Sequence, residues 1–157
     1  MRISVKTDYA IRAAAELAAA QAQGPVKAEA IAEAQDIPLN YLLNILGELR
    51  RANIVRARRG MNGGFELARP AASVTLAELI RVVDGPLANV HESRPEELIY
   101  TGASQSLQEV WIAVRASLRG VLENVTLEHL ARGSLPARVR KLALDADAWA
   151  ARPSFRS

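Results

Sequence analysis

The chain contains no cysteine. That absence excludes disulfides, thiolate metal sites and cysteine-held iron–sulfur clusters. Histidine is scarce, with two in 157 residues, so a histidine-based catalytic constellation has little to draw on. No run of about 18 apolar residues occurs, and no membrane span is expected. Leu17 to Ala22 is too short and too alanine-rich for a signal-peptide core. These absences together predict a cytoplasmic protein. Aromatics make up only 4% of a chain that is 50% hydrophobic. Alanine and leucine supply the apolar bulk, a bias toward helices.

The net charge of +3 is modest, so its distribution carries the information. Residues 1–70 hold +3, residues 71–104 hold −3 and residues 105–157 hold +3. Between Gly47 and Arg69 six arginines face two glutamates. Positive charge is thus concentrated in one segment, as phosphate binding requires. At its centre, RARRGMNGGF (Arg56 to Phe65) puts three arginines ahead of a glycine-rich turn.

The spacing predicts a helix from a cap at Thr7 or Asp8 to about Gln23, with Tyr9, Ala13, Leu17 and Ala20 on one face. A short helix over 27–34 follows, with Ile31 inward. A turn over 35–39 has Ile37 as its buried plug. A third helix over 39–52 carries the stripe Leu39, Leu42, Leu46, Leu49. Asn53 occupies the left-handed exit. Gly47 inside that helix costs about 1 kcal/mol against alanine, which implies close packing there. Two strands, 54–57 and 65–68, flank a loop in which Gly60, Gly63 and Gly64 supply positive φ. Thr75 caps a helix through Asp84, with Leu76, Leu79, Ile80 and Val83 inward and Glu78 completing a capping box.

Residues 87–104 read as an irregular acidic connector with one helical turn near Glu96. From Ser106 the pattern becomes a heptad seam: Leu107, Trp111, Val114, Leu118, Val121 and Val125 recur at alternating spacings of about 4 and 3. Thr126 caps a short helix over 127–131. The last twenty residues lack a periodic core and read as a weakly ordered tail.

The second and third helices have the rhythm of a helix–turn–helix, whose second helix fits the major groove of B-DNA and meets base edges with its N-terminal residues. Asn40, Tyr41, Leu43 and Asn44 fill that exposed turn and a half. Asparagine can bond adenine twice, and leucine can touch a thymine methyl. A plain helical hairpin with a polar outer face explains these residues equally well on spacing alone. The basic glycine hairpin directly afterwards favours DNA. Arg56, Arg58 and Arg59 suit phosphates or a narrow minor groove, Arg51 is a further DNA-binding candidate, and Lys6 and Lys27 are phosphate candidates or ordinary surface charges. An apolar stripe usually packs on its own domain. The length and regularity of this one point to self-pairing, which would set two recognition helices about 34 Å apart on a palindrome.

At this point the residues resemble a known family. The opening MRISVKTDYAIRAAAELA, then IPLNYLLNIL, RRGMNGGFELARP, VTLAELIRVVDGPL and LQEVWIAVRASLRGVLENVTLEHLA are similar, in order and spacing, to the Rrf2 family of bacterial transcription regulators (IscR-, NsrR- and CymR-type). The resemblance covers roughly residues 1–132. It implies a homodimeric winged helix–turn–helix repressor or activator, with DNA contacts at Asn40, Tyr41, Leu43 and Asn44 and a wing arginine at Arg59 beside Arg58. Many members carry three cysteines between the DGP helix and the dimer helix as ligands for an iron–sulfur cluster. This chain has none there. Asp8 matches an oxygen-ligand position of some cluster-binding members; without thiolates it reads as a helix-capping carboxylate. His91, Glu92 and His129 are conceivable hard-ligand donors, but His91 and Glu92 are adjacent rather than at helical spacing. In cysteine-free relatives of the CymR type, regulation comes from a protein partner or a small molecule.

The expected fold class is mainly α with a small β-hairpin: a winged helix–turn–helix plus a long dimerisation helix. The expected division is a DNA-binding domain over 1–86, a connector and effector region over 87–104, a dimerisation helix with a short terminal helix over 105–133, and a tail over 134–157. The expected function is a sequence-specific regulator, a repressor by preference. It would bind double-stranded DNA as a homodimer, without catalytic residues, metal or cofactor, and without a membrane partner. It would respond to an unknown protein or small-molecule effector. An enzyme is not expected, because no glycine-rich loop leads from a strand into a helix. The alternative is a winged-helix protein-interaction adaptor.

Overall fold

The first helix, α1 (Val5–Ala19), is the post around which the other elements pack. A computed structural model describes residues 3–151. Ser4, not Thr7 or Asp8, caps α1, accepting from the Thr7 N–H at 3.0 Å. The helix stops at Ala19, short of Gln23, because Gly24 adopts φ +108 and Pro25 follows it. Ala10, Ala13, Ala14 and Leu17 are buried. So many small residues on one face let neighbouring helices approach closely.

The helix–turn–helix is α2 (Ala28–Gln35) and α3 (Leu39–Arg51). Asp36 turns the chain between them in the left-handed region, and Ile37 is buried as the plug. Leu42, Ile45, Leu46 and Leu49 are inaccessible to solvent, which fixes α3 by its inner face. Asn53 takes φ 56, as its exit position requires. Gly47 departs from expectation. A Cβ there would meet only the flexible end of Arg51, at 3.8 Å, so no close helix contact demands the glycine.

Strands β1 (Val55–Arg58) and β2 (Gly64–Leu67) pair antiparallel, with Val55 opposite Leu67 and Arg58 opposite Gly64. The segment before α2 adds a third rung, with paired bonds of 2.8 and 2.7 Å between Val26 and Phe65. Two of the three loop glycines have positive φ, Gly60 at +105 and Gly64 at +155. Gly63 is there for room instead: a Cβ would lie 2.2 Å from the Arg58 carbonyl oxygen.

Helix α4 (Leu76–Val83) is capped by Thr75, which accepts from the Glu78 N–H. The capping box is not closed. The Glu78 carboxylate pairs with Arg69, which also donates to the Asn53 carbonyl and so ties the hairpin's exit to α3 and α4. The connector contains two short 3-10 turns, Pro95–Glu97 and Gly102–Ser104, and a tight reversal at Val90–Ser93. His91 and Glu92 are its central residues, both at positive φ, as a two-residue turn of this kind needs.

Helix α5 (Leu107–Leu122) leads outward, and the chain returns through α6 (Leu127–Ala131). Bonds from Leu76 N to Val125 O and from Leu127 N to Val74 O dock this return onto the start of α4. Val125 and Leu127 are buried, and Leu127 joins the α1 core. By its packing α6 therefore belongs with the winged module, not with α5. The segment expected to be a weakly ordered tail forms two short helices, α7 (Ala137–Ala143) and α8 (Ala146–Trp149), neither with a buried residue. Its last six residues, 152–157, lie outside the described range. No helix among the described residues is long and apolar enough to cross a membrane.

Candidate nucleic-acid interface

The inner face of α3 is sealed in the core, so its outer face is presented without freedom to rotate. Asn40, Tyr41, Leu43 and Asn44 are all exposed, Leu43 to 43%. An open leucine beside two asparagines is a surface that fits base edges and methyl groups better than it fits water. Tyr41 is oriented by an edge-to-face contact with Tyr9 of α1, centroids 5.8 Å apart. Arg12 stacks over Tyr9 at 5.3 Å, pairs with Asp8 at 3.1 Å and donates to the Gln35 carboxamide oxygen at 3.0 Å and to its backbone carbonyl. Sequence spacing gave no signal for this relay from α1 through the end of α2 to the recognition helix, because its members lie far apart in the chain.

The hairpin stands beside α3. Arg56 and Arg58 share Glu66, at 2.6 and 3.5 Å. Glu66 is the residue that reasoning from motifs missed: it sits on β2 opposite Arg56 and holds both guanidiniums on one face. Arg59, at the tip, is exposed and has no carboxylate partner among the described residues. Arg51 and Lys27 are likewise exposed and unpaired by any carboxylate there. Lys6 is different. Its ammonium is 2.8 Å from Glu48 of α3, which makes it a brace between α1 and the recognition helix rather than a free phosphate ligand.

The conceivable metal donors have other uses. Asp8 is paired with Arg12. The His129 imidazole accepts from the Thr126 N–H at 3.0 Å and caps α6. Among the described residues no group of three or more His, Cys, Asp or Glu could hold a metal ion. With no thiolate in the sequence, the donor set does not fit a cysteine-held cluster.

Helix α5 has sixteen residues and buries none of them, despite its apolar composition. Val110, Val114, Leu118, Val121 and Leu122, with Ile3 beside them, line an open groove of about 620 Å³. Three residues expected on the seam, Leu107, Trp111 and Val125, do not line this groove. Val125 lies beyond the end of the helix and is buried in its own protomer. Trp111 turns to the connector and donates its indole N–H to the Tyr100 hydroxyl at 3.2 Å.

At the N-terminal end of α1, Asp84 collects the Ser4 and Thr7 hydroxyls, both at 2.7 Å. Partial burial works to raise its carboxyl pKa, but the bonds from Thr7 and Ser4 and the charge of Lys6 outweigh it and hold the group below the usual aspartate value.

The comparisons agree with this geometry. The Rrf2 family profile, described as an iron-dependent transcriptional regulator, matches residues 3–133. A Mycobacterium tuberculosis protein named as an HTH-type transcriptional regulator is 46% identical over 92% of this chain and 90% of its own length. The regulator CymR of Bacillus subtilis is 33% identical over 83% of the chain and 90% of its own. Among solved structures, B. subtilis CymR superposes with a TM-score of 0.71 at 30% identity, covering 85% of this chain and 98% of that one. IscR of T. potens gives 0.65 at 29% identity, covering 98% and 94%. A winged helix–turn–helix with an outward recognition face, matched by these relatives over nearly its whole length, identifies the chain as a member of the Rrf2 family of DNA-binding transcriptional regulators.

Proposed function

We propose that the protein is a homodimeric repressor of a palindromic operator, switched by an effector acting at the connector rather than by a cysteine-held cluster. In this reading Asn40, Tyr41, Leu43 and Asn44 read bases in the major groove. Arg58 and Arg59 reach the adjacent minor groove or its phosphates, and Arg51 and Lys27 hold the backbone. The observation that carries the reading is the outer face of α3: polar and apolar groove-reading side chains left open on a helix whose other face is immobilised, next to a hairpin whose tip arginine is unpaired. Pairing of two copies through α5 is supported by its open apolar groove, which one protomer leaves uncovered. A location in the cytoplasm follows from the DNA target.

Selection of bound sequences from random DNA, followed by fluorescence anisotropy on the recovered palindrome over a range of salt, tests this. A DNA reader loses affinity steeply as salt rises because phosphate contacts release counterions. Arg59→Ala should lower that salt slope by about 0.9 per protomer, roughly 2 for the pair, with the dimer intact. Failure to enrich any sequence, with weak and featureless binding, would favour a protein-interaction adaptor instead.

A further inference from the structure

Between α4, the connector and α5 lies a cavity of about 360 Å³ into which four arginines converge: Arg81, Arg94, Arg115 and Arg119. Its remaining wall includes Pro86, Leu87 and Asn89. Among the described residues two carboxylates form ion pairs with these four charges. Glu123 takes Arg81 and, at 3.8 Å, Arg119. Glu96, also on the wall, takes Arg115. Arg94 forms no ion pair within 4 Å among the described residues; its backbone N–H and carbonyl are bonded to Glu97, and its charge acts on Glu96 only from a distance. The cavity thus carries a local excess of about two positive charges, and two of its arginines, Arg81 and Arg94, come from a segment that is acidic overall. Arg115 is the most sheltered member, with its side chain 14% exposed. Guanidiniums gathered this closely repel one another, and the repulsion is strongest where water is excluded.

We propose that this cavity binds a small organic dianion, a phosphomonoester or a dicarboxylate, as the effector of the DNA-binding activity proposed above. Planar guanidinium forks match the oxygens of phosphate and carboxylate in bidentate fashion. The volume lies at the small end of the roughly 300–1,000 Å³ typical of small-molecule sites, which suits a metabolite and not a peptide. Pro86 and the buried Leu87 offer an apolar floor for a short carbon body. Glu96, held ionised by its own backbone N–H and by Arg115, must yield Arg115 to the ligand.

The position gives binding a consequence. Leu87 packs with Ala77 and Ile80 of α4 and with Ile11 and Leu122, so one end of the connector is fastened to the DNA-binding module. The Gln108 carboxamide of α5 donates to the carbonyls of Pro95, Glu96 and Leu98, fastening the other end to the dimerisation helix. The ion pairs Arg81–Glu123 and Glu96–Arg115 join the same elements. A dianion that takes these guanidiniums from their glutamates exchanges the ties between α5 and the reading heads, and so biases the angle between them.

The test is a thermal-melting titration of the purified protein, without DNA, using inorganic phosphate and succinate as probes against sodium chloride of matched ionic strength. A saturable rise in melting temperature is expected with at least one probe. Arg94→Ala/Arg119→Ala should weaken it by roughly tenfold or more in midpoint concentration, while Arg59→Ala on the wing leaves it unchanged. Arg94→Ala alone, at an exposed position, gives the same readout should the double variant fold poorly. No rise beyond chloride with either probe up to tens of millimolar overturns the proposal. So does a rise that persists undiminished in the arginine variants, since the anion would then sit elsewhere. The phosphate and succinate arms separate the two anion sources. Operator binding by the same preparation separates the two readings: intact DNA recognition without a dianion response sinks the pocket alone, and the reverse result sinks the regulator.

Discussion

The Thr7 hydroxyl donates to Asp84 Oδ2 at 2.7 Å, joining the first turn of α1 to the C-terminal end of α4 across 77 residues of sequence. Thr7 is wholly buried, and among the described residues it is the one polar side chain that is. Asp84→Ala leaves that hydroxyl without its acceptor, a loss of about 1–3 kcal/mol. The contribution also has a pH sign. The carboxyl pKa is lower in the folded state than in the unfolded chain. Its stabilisation is therefore complete above the ordinary aspartate value of about 4 and is lost as pH falls through the folded value. Denaturant melts of wild type and Asp84→Ala should differ at neutral pH and converge in acid. A gap that stays constant down to strongly acid pH would refute the linkage.

Gly47→Ala should stabilise the protein. The site is in the interior of α3, a Cβ there meets only the end of the Arg51 side chain at 3.8 Å, and glycine costs a helix about 1 kcal/mol against alanine. A gain of about 0.5–1 kcal/mol in urea melts is expected. A loss would mean that an unseen neighbour, such as DNA or a second protomer, needs the space.

The periodicities of α3, α4 and α5 were legible because each helix is amphipathic and its apolar face repeats at i, i+3 and i+4. The wing was legible because glycine and arginine are unusual neighbours unless a turn and an anion are involved. What stayed hidden depends on contacts between distant residues. Nothing near Ser4 announces that it, rather than Thr7, is the cap; the distant Asp84 takes both hydroxyls, and the Ser4 oxygen still accepts from the Thr7 N–H. Lys6 resembles any surface lysine until Glu48 of α3 is found beside it. Val125 continues the heptad count on paper, but α5 ends at Leu122 with Glu123 as its cap, and Val125 is buried in its own protomer. The arginine cavity was invisible for the same reason: Arg81, Arg94, Arg115 and Arg119 come from three elements and share no motif.

Gly64→Ala should cripple the wing without touching the dimer. A Cβ there would lie 2.5 Å from the Val26 carbonyl oxygen and 2.7 Å from its carbon, both backbone atoms that cannot swing aside. Either the Val26–Phe65 rung opens or the hairpin rotates, at a cost of about 1–3 kcal/mol. Arg58, opposite Gly64 in the ladder, moves with it. DNA affinity should fall and sedimentation should be unchanged. Amide exchange at Val26 and Phe65 should accelerate relative to α3; unchanged protection at both would refute the account.

Leu118→Glu tests the pairing of two copies. Leu118 is half-buried in the isolated protomer and lies in the groove lined also by Val114 and Val121. Each protomer of a symmetric dimer would bring a carboxylate into the same apolar seam, so two charges are desolvated together without a partner. The expected cost to association is about 3 kcal/mol or more, over a hundredfold in dimer dissociation constant. Folding should survive, because no residue of α5 is buried in the core. Sedimentation equilibrium should show monomers at concentrations where wild type is dimeric, and operator affinity should fall further than in Arg59→Ala, since both half-sites are uncoupled at once. Trp111→Ala provides the contrast: its indole is bonded to Tyr100 of the same chain, so it should loosen the connector and leave the dimer constant nearly unchanged. If Leu118→Glu remained dimeric while Trp111→Ala dissociated, the seam would run along the other face of α5.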